Sequence, residues 1–216
     1  MLCLCLLLQT FMAAPALAAT KDGAPGDLLY FVNCAATKTK EVASGDAMGE
    51  YQSVTDQPYG EDAETGYTWG YVQDDDMVRG GNADSVVKTD TYWYTSDGIE
   101  YDSETSGFRY NFAVEDGSYE VTVGIKIPGW WSARKVDIDL EGVRTTSQAS
   151  VPGGAASNAT FESKSEVIVE DGELNVFIHN SQRADQNGDP ILSYILVKRG
   201  QTYDKTTLTD KIAEIE

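Results

Sequence analysis

YEVTVGIKI, residues 119–127, decides the fold: Tyr119, Val121, Val123, Ile125 and Ile127 alternate with Glu120, Thr122, Gly124 and Lys126. A period of two puts successive side chains on opposite faces of an extended chain, so the segment reads as a half-buried strand. Outward from it, Val136, Ile138 and Leu140 alternate with Lys135, Asp137 and Asp139, and Leu174, Val176 and Ile178 with Asn175, Phe177 and His179. ILSYILV (191–197) is apolar on both faces and reads as a central strand. Two turns share nearly one sequence, Val114-Glu115-Asp116-Gly117 and Val169-Glu170-Asp171-Gly172. Asp-Gly between alternating runs predicts a hairpin at each, because both residues tolerate positive φ. No helical period precedes the C-terminus. Many short strands with glycine-rich turns predict an all-β fold, a β-sandwich of jelly-roll type.

The ends differ from this middle. Residues 1–19 are apolar and uncharged and close on Ala16-Leu17-Ala18, the pattern of a secretory signal peptide. Export to the cell surface or beyond is therefore expected. Residues 20–200 then form one β-sandwich domain, large enough for a substantial core. Residues 201–216 read as a linker and the start of a truncated helical module, capped by Thr207 or Thr209 and too short to stand alone. Cys3 and Cys5 would leave with the signal. Cys34, within the apolar run LYFVNC (29–34), reads as a buried, inert thiol, so the domain is held by its core and not by a disulfide.

The net charge of −19 repels nucleic acid and anionic membranes, and neither is expected as a partner once the signal is cleaved. Acidic runs such as Asp74-Asp75-Asp76 read as solvated faces. No cofactor is expected, although a structural calcium held by some of these oxygens is compatible with an extracellular chain. Asp185-Gln186-Asn187-Gly188-Asp189 opens like a calcium loop, but Leu196 stands where an EF-hand needs an acidic ligand. His179 is the only histidine and lies within a strand pattern, so a nucleophile–histidine machine has little to build on. Zinc clusters, a P-loop and a dinucleotide-binding glycine fingerprint are absent from the sequence. A non-enzyme is expected. The competing reading is a small glycosidase or lyase using a carboxylate pair among the 35 acids. A structural spacer of a surface protein is the third.

The remaining signal is aromatic. Rings gather in DQPYGED (56–62) running on to GYTWGY (66–71), in Tyr92-Trp93-Tyr94, and in Trp130-Trp131, which follow the breaker Pro128-Gly129. In a strand Tyr92 and Tyr94 share one face and Trp93 takes the other. A bland account buries these rings in the core. The sharper one assembles several into a platform on which sugar C–H faces stack while hydroxyls bond to Asp, Asn and Gln.

The second half of the chain resembles malectin and malectin-like carbohydrate-binding modules. The resemblance rests on residues 106–128, on ARKVDIDLEG (133–142), on VIVEDGELNVFIHNS (167–181) and on GDPILSYILVKR (188–199), with LYFVNC similar to the family's first strand. Ala35-Ala36 stand where that family has a glycine pair. The resemblance implies a lectin-like β-sandwich binding oligosaccharide or polysaccharide through loop aromatics and one aspartate. The family's aromatic pair falls on Trp130 and Trp131, its aspartate on Asp189, its central tyrosine on Tyr92, and its earliest tyrosine on Tyr67 or Trp69. Tryptophan replaces smaller rings at 130 and 131, so the family's own ligand does not carry over. DQPYGEDAETGYTWGYV (56–72) resembles versions of the domain attached to large secreted bacterial glycoside hydrolases. A monomeric module within a longer chain is what this implies.

Overall fold

The computed structural model describes residues 21–36, 40–41, 52–72, 77–81, 91–95, 107–129, 131–153, 160–180 and 190–201, and these residues form strands and connections only. The strands are β1 (Leu28–Asn33), β2 (Lys40–Glu41), β3 (Gln52–Thr55), β4 (Gly60–Glu61), β5 (Thr68–Val72), β6 (Met77–Gly81), β7 (Thr91–Thr95), β8 (Gly107–Ala113), β9 (Gly117–Ile125), β10 (Arg134–Leu140), β11 (Val143–Val151), β12 (Phe161–Val169), β13 (Glu173–Asn180), β14 (Ile191–Leu192) and β15 (Tyr194–Arg199). One sheet runs β12-β9-β15-β1-β3-β2, a second β11-β10-β13-β8-β5-β4, and a small third sheet β14-β7-β6. Among the pairs described, only β1–β3 is parallel between strands. The all-β sandwich expected from the period-two runs is what forms.

The alternation in YEVTVGIKI does the work predicted of it. Tyr119, Val121, Val123 and Ile125 are buried against Phe108, Tyr110, Phe112, Val136, Ile138, Leu140, Leu174, Val176 and Ile178 of the second sheet, in one continuous core. Dispersion and loss of apolar surface to water hold the two sheets together. Gly124 is the exception in β9: a Cβ there would stand 2.0 Å from the Tyr194 ring, which crosses β9 so that its hydroxyl meets Glu162 on β12.

Two predicted hairpins are corrected. Asp116-Gly117 joins β8 of the second sheet to β9 of the first, and Asp171-Gly172 joins β12 of the first to β13 of the second. Both are arches between sheets. The glycines are still needed for their positive φ of 152° and 81°. The true tight hairpin is β10–β11, whose turn residues Glu141 and Gly142 have φ of 50° and 69°, the left-handed pair that matches strand twist. A second difference concerns ILSYILV: it divides at Ser193. Ile191 and Leu192 pair with β7, whereas Tyr194 onward lies between β9 and β1. The Ser193 amide donates to Gly124 O (3.0 Å), its carbonyl accepts from Cys34 N (2.9 Å), and its hydroxyl accepts from Lys126 N (3.1 Å), which fixes the point of divergence.

At the far end, Arg199 closes the sandwich. Its guanidinium donates to the Glu115 and Asp116 carbonyls and to the Tyr119 hydroxyl, and it lies 4.9 Å from the Tyr119 ring centroid.

Candidate functional site

The loop from Ile127 to Ala133 carries the chain from the first sheet to the second, and its path is set locally. Trp131 N donates to Pro128 O at 2.9 Å, closing a turn in which proline fixes φ. Gly153 permits the backbone of Ser132 and Ala133 to pass so closely that a Cβ would lie 2.3 Å from Ser132 C. Arg134, 8 % exposed, donates to Ser132 O at 2.7 Å and places its guanidinium 5.6 Å from the Trp131 ring. These contacts hold Trp131 half-buried against the small third sheet.

There it meets two tyrosines. The Trp131 ring lies 6.1 Å from Tyr92 and 5.3 Å from Tyr94, at interplanar angles of 75° and 82°, and the tyrosines lie 6.1 Å apart. Edge-to-face packing of this kind directs positive ring edges at negative ring faces. As the pattern of residues 91–95 requires, Tyr92 and Tyr94 are half-buried on one face while Trp93 is buried on the other. Gly80 on β6 sits directly beneath Tyr92: a Cβ there would be 2.3 Å from the ring. Burial, with Tyr94 nearby, raises the Tyr92 pKa above its ordinary value, so the phenol is neutral and available as donor and acceptor.

The opposite face of β7 is anchored by a buried carboxylate. Asp56 accepts hydrogen bonds from Ala35 N (2.6 Å), Trp93 Nε1 (2.7 Å), Tyr110 Oη (2.8 Å) and Gln57 N (3.0 Å). Burial pushes its pKa up to about 6 although all four donors pull it down. This bond helps hold Ala35 at φ 63°, the left-handed turn for which a glycine would be the easier residue. Arg79 donates to Ala35 O at 2.6 Å and lies 5.0 Å from the Trp93 ring. Cys34 beside them is buried, with its thiol pKa pushed well up, the inert thiol expected.

The structure thus brings together Trp131 and Tyr92 of the sequence-derived residues, and adds Tyr94, Arg134 and Gly80. Trp69 is a different case. It is 2 % exposed, stacked 6.4 Å from Phe112 with its indole N–H donating to Asp62 at 3.2 Å, and presents no free face. It is a core ring. Tyr67 is half-buried, with the Lys21 ammonium 5.3 Å from its ring. The Lys21 amide donates to Ala113 O at 3.1 Å, so Tyr67 sits at the end of the sandwich that Arg199 closes and is not brought to Trp131. Trp130 and Asp189 lie outside the described residues; β14, which begins two residues after Asp189, pairs Ile191 with Tyr94. His179 is structural: it is 3 % exposed, stacked on Phe177 at 4.4 Å and in contact with Asp139 and Arg144. Among the described residues no group of three or more His, Cys, Asp or Glu is placed to hold a metal ion.

No protein-family model matches the chain, and no curated protein matches it by sequence. Solved structures do match. The extracellular domain of ANXUR2 from Arabidopsis thaliana superposes with a TM-score of 0.61 at 12 % identity, over 82 % of this chain and 49 % of that one. A Bacteroides uniformis beta-glucuronidase superposes with a TM-score of 0.53 at 17 % identity, over 79 % of this chain and 18 % of that one. The chain therefore spans less than half the length of either structure, and at these identities the likeness is one of fold.

Proposed function

We propose that this chain is a secreted, non-catalytic carbohydrate-binding module that holds an attached hydrolase or adhesin on a glycan. The observation that carries the reading is the Tyr92–Tyr94–Trp131 cluster. Three half-buried rings, fixed by a Pro-Gly turn, a glycine floor and a buried arginine, converge where the Ile127–Ala133 connection meets the small third sheet. Such rings offer C–H-stacking surface and two phenolic hydroxyls without a charged anchor, which suits a neutral, hydroxyl-rich ligand. Trp130, next to Trp131 in the chain, and Asp189, two residues before β14, complete the site in this reading, with Asp189 accepting sugar hydroxyls. Trp69 supports from the core, and Tyr67, held beside Lys21 at the other end of the sandwich, lies outside this site. The fold shared with part of a beta-glucuronidase chain is in keeping with an accessory domain of a larger enzyme.

Affinity at one such site is expected in the micromolar to millimolar range and to gain effect through repetition. A glycan array probed with the wild-type chain and with Trp131→Ala tests the proposal. It expects discrete glycan signals that the variant loses, with no reducing ends released from the bound glycans. Release of reducing ends, abolished by a single Asp or Glu change, would establish the enzyme instead.

A further inference from the structure

The aromatic run at 56–62 is not absorbed by that site, and its one exposed ring is held in an unusual way. The segment Gln57–Tyr59 runs beside β5 along the edge that β4 continues, with a parallel bridge between Pro58 and Tyr71. Gly70 makes this passage fit: its φ is 140°, and a Cβ would stand 2.5 Å from Gln57 O and 2.6 Å from Pro58 O. Backbone bonds pin the segment, Tyr59 N to Tyr71 O at 2.8 Å and Tyr71 N to Gln57 O at 2.9 Å. The Gln57 side chain adds bonds to Trp69 O at 2.9 Å and Gly60 O at 3.2 Å. Tyr59 leaves this strap 38 % exposed, and its hydroxyl donates to the Glu173 carboxylate on β13. The other oxygen of Glu173 accepts from Asn111 Nδ2 at 2.8 Å. Val72, 40 % exposed, follows the inward-facing Tyr71 and so takes the outer face, and Pro58 is exposed before the ring.

We propose that Tyr59 is a second glycan contact, a stacking plate for one neutral pyranose ring on the outer face of the second sheet, separate from the Tyr92–Tyr94–Trp131 site. A ring locked at both its backbone and its hydroxyl has little freedom left to lose on binding, which is what makes a single exposed aromatic useful. Glu173 and Asn111 lie at its hydroxyl edge. Each carboxylate oxygen keeps a lone pair beyond the bond it already accepts, and the Asn111 carbonyl is a further acceptor. The rim thus receives hydroxyl hydrogens from a sugar. Its charge selects the sugar class: beside Glu173, Glu141 has its pKa raised by burial and further by the nearby Asp171 and Glu173 carboxylates. On a chain of net charge −19 this edge disfavours uronates and sulfated sugars and admits neutral ones.

The test is a backbone-amide NMR titration of the whole chain with neutral tetrasaccharides of glucose, mannose, galactose and xylose, and with tetragalacturonate, each to millimolar concentration. At least one neutral tetrasaccharide is expected to shift the amides of Gly60, Val72 and Asn111 saturably. The shifts should persist in Trp131→Ala and weaken at least about fivefold in Tyr59→Ala. Tyr59→Phe, which keeps the ring and loses its anchor, should fall between. Absence of these shifts with every neutral probe, their survival unchanged in a folded Tyr59→Ala, or stronger binding of tetragalacturonate would overturn the proposal. Shifts confined to residues around Trp131 would refute this site alone, and shifts confined to the Tyr59 face would refute the loop site instead.

Discussion

Neutralising Asp56 should change how the stability of this protein depends on pH, and the structure sets both sign and size. The carboxyl is 8 % exposed, and burial raises its folded-state pKa from 3.8 to about 6. Between those values the folded state holds a proton that the unfolded chain has released. The contribution of this group is therefore complete below about pH 4 and is lost as pH rises through 6. Each tenfold change in proton affinity corresponds to about 1.4 kcal/mol, so the full loss is about 3 kcal/mol, of which about 2.4 kcal/mol falls between pH 4 and 7. Asp56→Asn keeps the shape and one carbonyl acceptor but cannot titrate. It leaves part of the donor set formed by Ala35 N, Gln57 N, Trp93 Nε1 and Tyr110 Oη unsatisfied, a cost of about 1–3 kcal/mol that does not vary with pH. Urea unfolding of both proteins from pH 4 to 7.5 separates the two effects, because every other carboxylate cancels in the difference. The variant should be less stable than wild type by about 1–3 kcal/mol at pH 4, and this gap should shrink by about 2–3 kcal/mol as pH rises, closing or reversing by neutral pH. A gap that is constant, or that widens as pH rises, would refute the assignment of a raised pKa to this buried acid.

Gly80→Ala places a methyl 2.3 Å from the Tyr92 ring and should displace that ring while the sandwich stays folded. Glycan affinity is expected to fall severalfold with the near-ultraviolet dichroism altered and the urea midpoint little changed. Arg199→Met removes three hydrogen-bonded contacts to the Glu115, Asp116 and Tyr119 groups at the closed end of the sandwich. It should cost about 2–4 kcal/mol in urea unfolding and leave glycan binding unaffected.

Much of the fold was legible because alternation is a local property. Tyr119–Ile127 and Leu174–Ile178 bury the residues their period assigns, and Tyr92 and Tyr94 share a face opposite Trp93. Partner choice between strands is not local. An Asp-Gly pair supplies positive φ equally well to a hairpin and to an arch between sheets, so Asp116-Gly117 and Asp171-Gly172 gave no sign that the chain changes sheet there. Glu141-Gly142 carried the hairpin instead. Ser193 looks like one polar residue inside an apolar strand, and only its three backbone partners reveal it as the junction of two sheets. At the site, the placement of Trp131 after a Pro-Gly break marked it as a ring outside the regular strands. Trp69 misled because glycines on both sides disguised its place on the inward face of β5. Gly80 and Asp56 act through contacts with rings far along the chain, and nothing in their neighbouring sequence announces them.

The proposed function requires physical contact between a sugar and the Tyr92–Tyr94–Trp131 cluster. Isotope-filtered nuclear Overhauser spectroscopy of the chain with its best array glycan measures that contact directly. Cross-peaks between pyranose ring protons and the Trp131 indole and Tyr92 ring protons are predicted, and they should vanish in Gly80→Ala in proportion to lost affinity. A bound glycan with cross-peaks only to residues of the sheet faces, or an array without any bound glycan for a folded chain, would show that this cluster binds no sugar.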